Sequence, residues 1–255
     1  MKKCGFTLAE LLLTLGILGV LIVILIRATL TVQPNEEQVM LKKSYHELTR
    51  IVHELINDDD MYPELADESK EGQYFANTQK VTYKGVEYGG EADSDDAKAK
   101  FCKLFGSRLR LRESNACDED HTELKEGGHY VTTGGVMWSL PITTFVTTTE
   151  DEEGNSHSES TAGTIYIDVN GDAGENCFED DDECKIPDRF KIDIHSDGRI
   201  EIPEGQDVTR YYIENKNTRK NIKEVREIIK EEKAKQAEDK KDNDDDKNDN
   251  DDNKN

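Results

Sequence analysis

Residues 1–26 read MKKCGFTLAELLLTLGILGVLIVILI. The uncharged apolar run from Leu11 to Ile26 has 16 residues; counted from Phe6 it has 21, with Glu10 as its one ionisable side chain. At about 1.5 Å rise per residue this is roughly 30 Å of helix, the thickness of one hydrocarbon core. The stretch therefore predicts a helix that spans a membrane to about residue 27. Lys2 and Lys3 favour a cytoplasmic start, which would leave the rest of the chain outside. A secretory signal peptide has an apolar stretch of about 7–15 residues and a small-x-small cleavage site. This run is longer, and Arg27 stands among the small residues that follow it. A carboxylate within such a run is costly and is normally paired or functional.

The residues around Glu10 suggest its use. KKCGFTLAE, residues 2–10, resembles the cleavage and methylation signal of type IV pilins and the pseudopilins of type II secretion. The resemblance implies cleavage between Gly5 and Phe6 by a prepilin peptidase, and methylation of the new Phe6 amine. It implies that Glu10 serves assembly, neutralising the Phe6 amine of a neighbouring subunit. It further implies an α+β, pilin-like fold, with a long N-terminal helix packed on an antiparallel sheet. The expected function is a structural subunit, a minor pilin or pseudopilin, of a type IV pilus or type II secretion filament. The alternative is a membrane-anchored surface binding module or adhesin. Expected partners are the prepilin peptidase, other pilin or pseudopilin subunits and the inner-membrane assembly platform. The implied location is the cell membrane, single-pass with an extracytoplasmic head, and a pilus or periplasmic pseudopilus after assembly.

The expected organisation is a leader over 1–5, a long helix over 6–57, a globular head over 58–215, a C-terminal helix over 216–237 and an acidic disordered tail over 238–255. Beyond the apolar run, Leu41, Tyr45, Leu48, Val52 and Leu55 recur at spacings of four and three, one apolar stripe on a helix. Pro34 would bend or open that helix. His46 and His53 flank the stripe and read as surface residues. Asn57, the aspartates after it and Pro63 stop the helix.

In the head, residues 79–90 read as a short hairpin and residues 95–111 as an amphipathic helix with Phe101, Leu104 and Phe105 inward. Threonines, valines and aromatics make 127–149 strand-rich. Residues 150–160 read as an exposed turn or loop, and 162–172 as a strand ending in a turn. Residues 188–203 read as a hairpin about Asp197–Gly198, and 208–215 as a further strand. Ile222 and Val225 mark one side of the C-terminal helix. The tail is low-complexity and acidic.

The chain carries 56 Asp and Glu against 33 Lys and Arg, a net charge of -23 over 255 residues. Nucleic acid needs the opposite sign, so no nucleic-acid partner is expected. After cleavage the cysteines are Cys102, Cys117, Cys177 and Cys184. The local pairing 102–117 and 177–184 is the simplest of three connectivities; the alternatives are free thiols and a four-cysteine zinc site. Asp168, Asn170 and Asp172 alternate as calcium-loop ligands do at positions one, three and five, with Glu179 at the twelfth. Ala173 stands where such a loop needs glycine, and a strand precedes it. The alternatives are a calcium site and a structural turn; calcium is the one cofactor considered. No nucleophile signature or phosphate-binding glycine loop appears, and an enzyme is not expected.

Overall fold

The computed structural model describes residues 8–32, 35–63, 72–92, 94–122, 124, 127–150, 156–215 and 222–235. Gly5 and Phe6 at the expected cleavage point, Pro34 and the acidic tail lie outside them. In place of one helix to residue 57 there are two, α1 (Leu8–Val32) and α2 (Glu36–Ile56). Asn35 starts α2 as its N-cap, its side chain accepting from Gln38 N at 3.1 Å. That bond satisfies one of the amides a helix start leaves open.

Side chains of α1 are described as far as Ile24. Among the described residues no helix is long and apolar enough to cross a membrane. This finding overturns the expected membrane-spanning first half. With it go the single-pass location and the two functions built on it, pilus or secretion-filament subunit and membrane-anchored adhesin.

The head is α+β. Its main sheet has six strands in the order β10-β9-β8-β5-β4-β3, every neighbouring pair antiparallel. The strands are β3 (Leu111–Ser114), β4 (Tyr130–Thr132), β5 (Met137–Ser139), β8 (Ala162–Asp168), β9 (Arg189–His195) and β10 (Ile200–Glu201). Two hairpins stand apart: β1 (Val81–Tyr83) with β2 (Val86–Tyr88), and β6 (Val146–Glu150) with β7 (Ser156–Ser160). The turn expected over 150–160 is thus partly a strand. The α3 (Asp95–Lys98) and α4 (Lys100–Gly106) helices precede the sheet.

The core follows from strand alternation. On β8 and β9 the pairs Gly163–Ile194, Ile165–Ile192 and Ile167–Phe190 stand opposite one another and are buried. Side chains two apart on a strand share a face, so these pairs form one apolar floor. The α2 stripe covers it: Leu41, Leu48, Ile51, Val52 and Leu55 belong to the same buried cluster. Tyr45, at the edge of the stripe, is half-buried. Phe75, Phe101 and Phe145 pack with ring centres 4.8–5.6 Å apart, and Phe105 lies 5.6 Å from the fully buried Trp138.

One expected strand is a helix. Residues Asp207–Glu214 form α5, which buries Val208, Thr209 and Tyr212. Val208 and Tyr212, four apart, fall on one helical face. The β-branched and aromatic content that suggested a strand is overridden by this packing. Residues 222–235 are helical, with Ile222 and Val225 buried.

Two buried groups give direct tests. A Cβ at Gly106 would lie 2.0 Å from the ring of Tyr130, whose hydroxyl donates to Cys102 O at 3.2 Å. Gly106→Ala should cost about 2–3 kcal/mol in denaturant unfolding, through overpacking and displacement of that ring. Unchanged stability would show that the ring moves freely.

Lys100 is 2 % exposed; its ammonium donates to Asn77 O at 2.8 Å and lies 4.5 Å from the Tyr62 ring centre. Burial pushes its pKa down to about 8. The unfolded lysine titrates near 10.4, so between these values the unfolded chain binds more protons. Stability contributed through Lys100 should therefore rise with pH, by about 2 kcal/mol from pH 7.5 to 10, relative to Lys100→Met. Parallel pH profiles for the two proteins would refute this.

Candidate functional site

Two regions concentrate the features singled out in the sequence. One is α1. It is apolar on every face, and its large side chains from Leu11 to Ile24 are roughly half exposed. A helix of that kind needs an apolar surrounding on all sides. Glu10 stands exposed in its first turn, where the positive end of the helix dipole favours an acid. Gly16 opens an apolar groove lined by Leu12, Leu13, Ile17, Val20 and Leu21.

The other is the link from β8 to β9, residues 169–188, tied by a disulfide between Cys177 and Cys184 whose Cα atoms are 5.7 Å apart. Three buried carboxylates organise it. Asp168, at the end of β8, accepts from Arg189 Nε at 2.9 Å and from Asn170 N at 3.3 Å. Burial pushes the Asp168 carboxyl up, and Arg189 pulls it back. Asp188 accepts from Cys177 N at 2.8 Å, Asn176 N at 2.9 Å and Asn170 Nδ2 at 3.2 Å, fastening the link to the start of β9.

Glu179 reaches out to α5. Its carboxylate accepts from Val208 N at 2.9 Å, Thr209 N at 2.7 Å and the Thr209 hydroxyl at 2.5 Å. It thus caps the first turn of a helix whose own N-cap, Gln206, makes no side-chain capping bond. Burial raises the Glu179 carboxyl, opposed by the bonds from Thr209 and Val208. The C-terminal helical residues dock on the same segment: Arg226 donates to Glu179 O, and Lys233 pairs with Asp207 at 2.6 Å.

This geometry decides how the calcium-loop residues are used. Asp168 is fully buried against a guanidinium, Asn170 bonds Asp188, and Asp172 is exposed. A cation at Asp168 would have to sit beside the Arg189 charge, so the three do not fit a calcium site. Glu179, the twelfth residue of the pattern, faces α5. The second disulfide joins Cys102 to Cys117, with Cα atoms 6.0 Å apart. The four cysteines form two separate pairs, which rules out a four-cysteine zinc site in this oxidised chain.

His129 is fully buried, its Nδ1 accepting from Leu140 N at 3.0 Å and its Nε2 donating to Asp118 O at 3.2 Å. Both ring nitrogens are thereby used, and burial lowers its pKa. His46 and His53 are exposed on α2.

Sequence reasoning missed Asp188, Arg189 and the capping role of Glu179. In a chain this acidic nothing marks a buried carboxylate, and the α5 amides it meets lie some thirty residues away. Pro187 before Asp188–Arg189 was the one local signal, since it ends the loop ahead of β9.

Replacing Glu179 by Gln keeps the shape but puts an amide nitrogen where a donor is already present. One α5 amide then loses its acceptor, at a cost of about 1–3 kcal/mol. Hydrogen exchange in residues 208–214 should speed up by roughly ten-fold or more. Unaltered exchange there would rule out the cap.

Residues 1–26 match the prokaryotic N-terminal methylation motif. That motif is consistent with prepilin-like processing and is not specific to type IV pilins or pseudopilins. Comparison with curated proteins and with solved structures finds no match.

Proposed function

We propose that this chain is a prepilin-like protein. A prepilin peptidase cuts it after Gly5 and methylates the amine of Phe6, and the processed chain acts by association rather than catalysis. The observation that carries the reading is the methylation motif over residues 1–26, within which residues from Leu8 on form an apolar helix whose side chains are exposed as far as Ile24. Among prepilin-like proteins, the type IV pilins and type II secretion pseudopilins are the relatives the motif favours, because FTL at Phe6–Leu8 and the acid at Glu10 follow their pattern.

The chemistry of the processed end is simple. Cleavage turns the Phe6 amide nitrogen into a cationic amine, and methylation keeps that charge. Glu10 lies four residues on in the sequence. An amine and a carboxylate at apolar surfaces attract far more strongly than in water, so the amine of one copy and Glu10 of another would set the register of two associating helices. The exposed leucines and isoleucines of α1 supply the area that such association buries. Partners on this reading are the prepilin peptidase, an assembly platform and other pilin-like subunits. The head, with both disulfides closed, is the part presented.

Mass spectrometry of the chain purified from cells that contain a prepilin peptidase should give N-methylphenylalanine at position 6 as the first residue. In cells lacking that peptidase, the chain should retain residues 1–5. Retention of the leader in both, or a terminus elsewhere, would overturn the proposal.

A further inference from the structure

Apart from the processed terminus, one cluster in the head has chemistry that nothing above uses. Glu175, Cys177 and Cys184 place a carboxylate oxygen and two sulfurs all within 4.8 Å of one another. It is the one such group of three among the described residues. In the oxidised chain the sulfurs are bonded to each other and cannot act as thiolates. In the reduced chain they can.

We propose that in the reduced chain Cys177, Cys184 and Glu175 bind a zinc-class divalent cation. The 177–184 loop is then closed by a disulfide under oxidising conditions and by a metal under reducing ones. Two thiolates and one carboxylate form a donor set that suits zinc, with water as the fourth ligand. A tetrahedral ion with sulfur at about 2.3 Å holds two sulfurs roughly 3.8 Å apart, so the two side chains turn apart once the sulfur–sulfur bond is broken. Bonds other than the sulfur–sulfur bond also hold the donors. Asp188 fixes Cys177 through its amide at 2.8 Å, and Glu175 is held in place by Lys185 N at 2.8 Å. The exposed acidic run Asp180–Glu183 draws cations toward the loop.

The chemistry balances. A dithiol or phosphine reductant supplies two electrons and is itself oxidised. The sulfur–sulfur bond breaks and takes up two protons to give two thiols. The cation then forms two bonds to sulfur and one to a Glu175 oxygen, and both thiol protons leave to solvent. Closing the loop by either route keeps Glu179, within it, at the start of α5. The chain thus has a way to order that segment before oxidation.

The test uses the full chain carrying Cys4→Ser, which removes the one thiol outside the head, reduced anaerobically in detergent and titrated with cobalt as the metal alone. One equivalent should bind with sulfur-to-cobalt charge-transfer absorption and the visible bands of a tetrahedral ion. Glu175→Gln should weaken binding by at least about ten-fold, the lower end of what losing even an outer-shell partner does. No charge-transfer band, or a band that survives Cys177→Ser with Cys184→Ser, overturns the proposal. A second readout needs no cysteine variant in the loop. Zinc should slow alkylation of Cys177 and Cys184 in the reduced chain while leaving Cys102 and Cys117 unprotected. Equal alkylation of all four with and without zinc likewise overturns it.

Discussion

The head depends on one burial: the apolar stripe of α2 laid over the isoleucine and phenylalanine pairs of β8 and β9. Neither surface is stable in water alone. The sheet face is continuous and apolar, and α2 has only one apolar side. Once they meet, the remaining helices have fixed places. The α4 helix brings its phenylalanines to the same core, and α5 brings Val208 and Tyr212. The contact is polar at its margin: Gln38, fully buried, donates through Nε2 to Tyr212 O at 3.1 Å. A buried amide without that acceptor would be costly, so it fixes how far α2 can slide along α5.

Charge is arranged differently inside and outside. The surface carries a large acidic excess, yet the buried acids are few and each is fully engaged. Asp168 meets a guanidinium, Asp188 meets three N–H groups and Glu179 meets the start of a helix. Taking one partner away from such a group costs more than the pair itself contributes. These acids therefore act as locators more than as sources of stability. They determine which backbone segments lie side by side in the β8–β9 link, where the sheet provides no ladder beyond the bridge of Phe178 to Arg189.

Much of this was legible where the signal was local. The spacing of Leu41, Leu48, Val52 and Leu55 gave α2, and Asp197–Gly198 gave the β9–β10 turn. Lys84 and Gly85, both with positive φ, close the first hairpin. Cys102 and Cys117, like Cys177 and Cys184, are joined in the nearest available pairing. What was not legible was non-local. Residues 208–214 carry strand-forming side chains and become helical because of a carboxylate far back in the chain and a sheet beneath them. The burial of Gln38 and Ser44 depends on partners that no helical wheel contains. The methylation motif was plain in the leader. The length of the apolar run suggested a bilayer span, which the described residues do not supply. The spacing of oxygens at Asp168, Asn170 and Asp172 says nothing of the arginine that Asp168 faces.

The cap on α2 bears on mechanics. Asn35 ends the ladder of that helix on its N-terminal side, and its Nδ2 donates to the Tyr212 hydroxyl at 3.4 Å. One turn further on, Gln38 bonds Tyr212 O, and Lys42 donates to Asn215 O. Tension entering from the α1 side thus meets a row of cross-links to α5 before it reaches the apolar stripe. These links follow one another along α2, at Asn35, Gln38 and Lys42, so a load on that helix is shared among them. Force would pass from α2 into α5, and through Glu179 into the disulfide-closed loop beside the sheet.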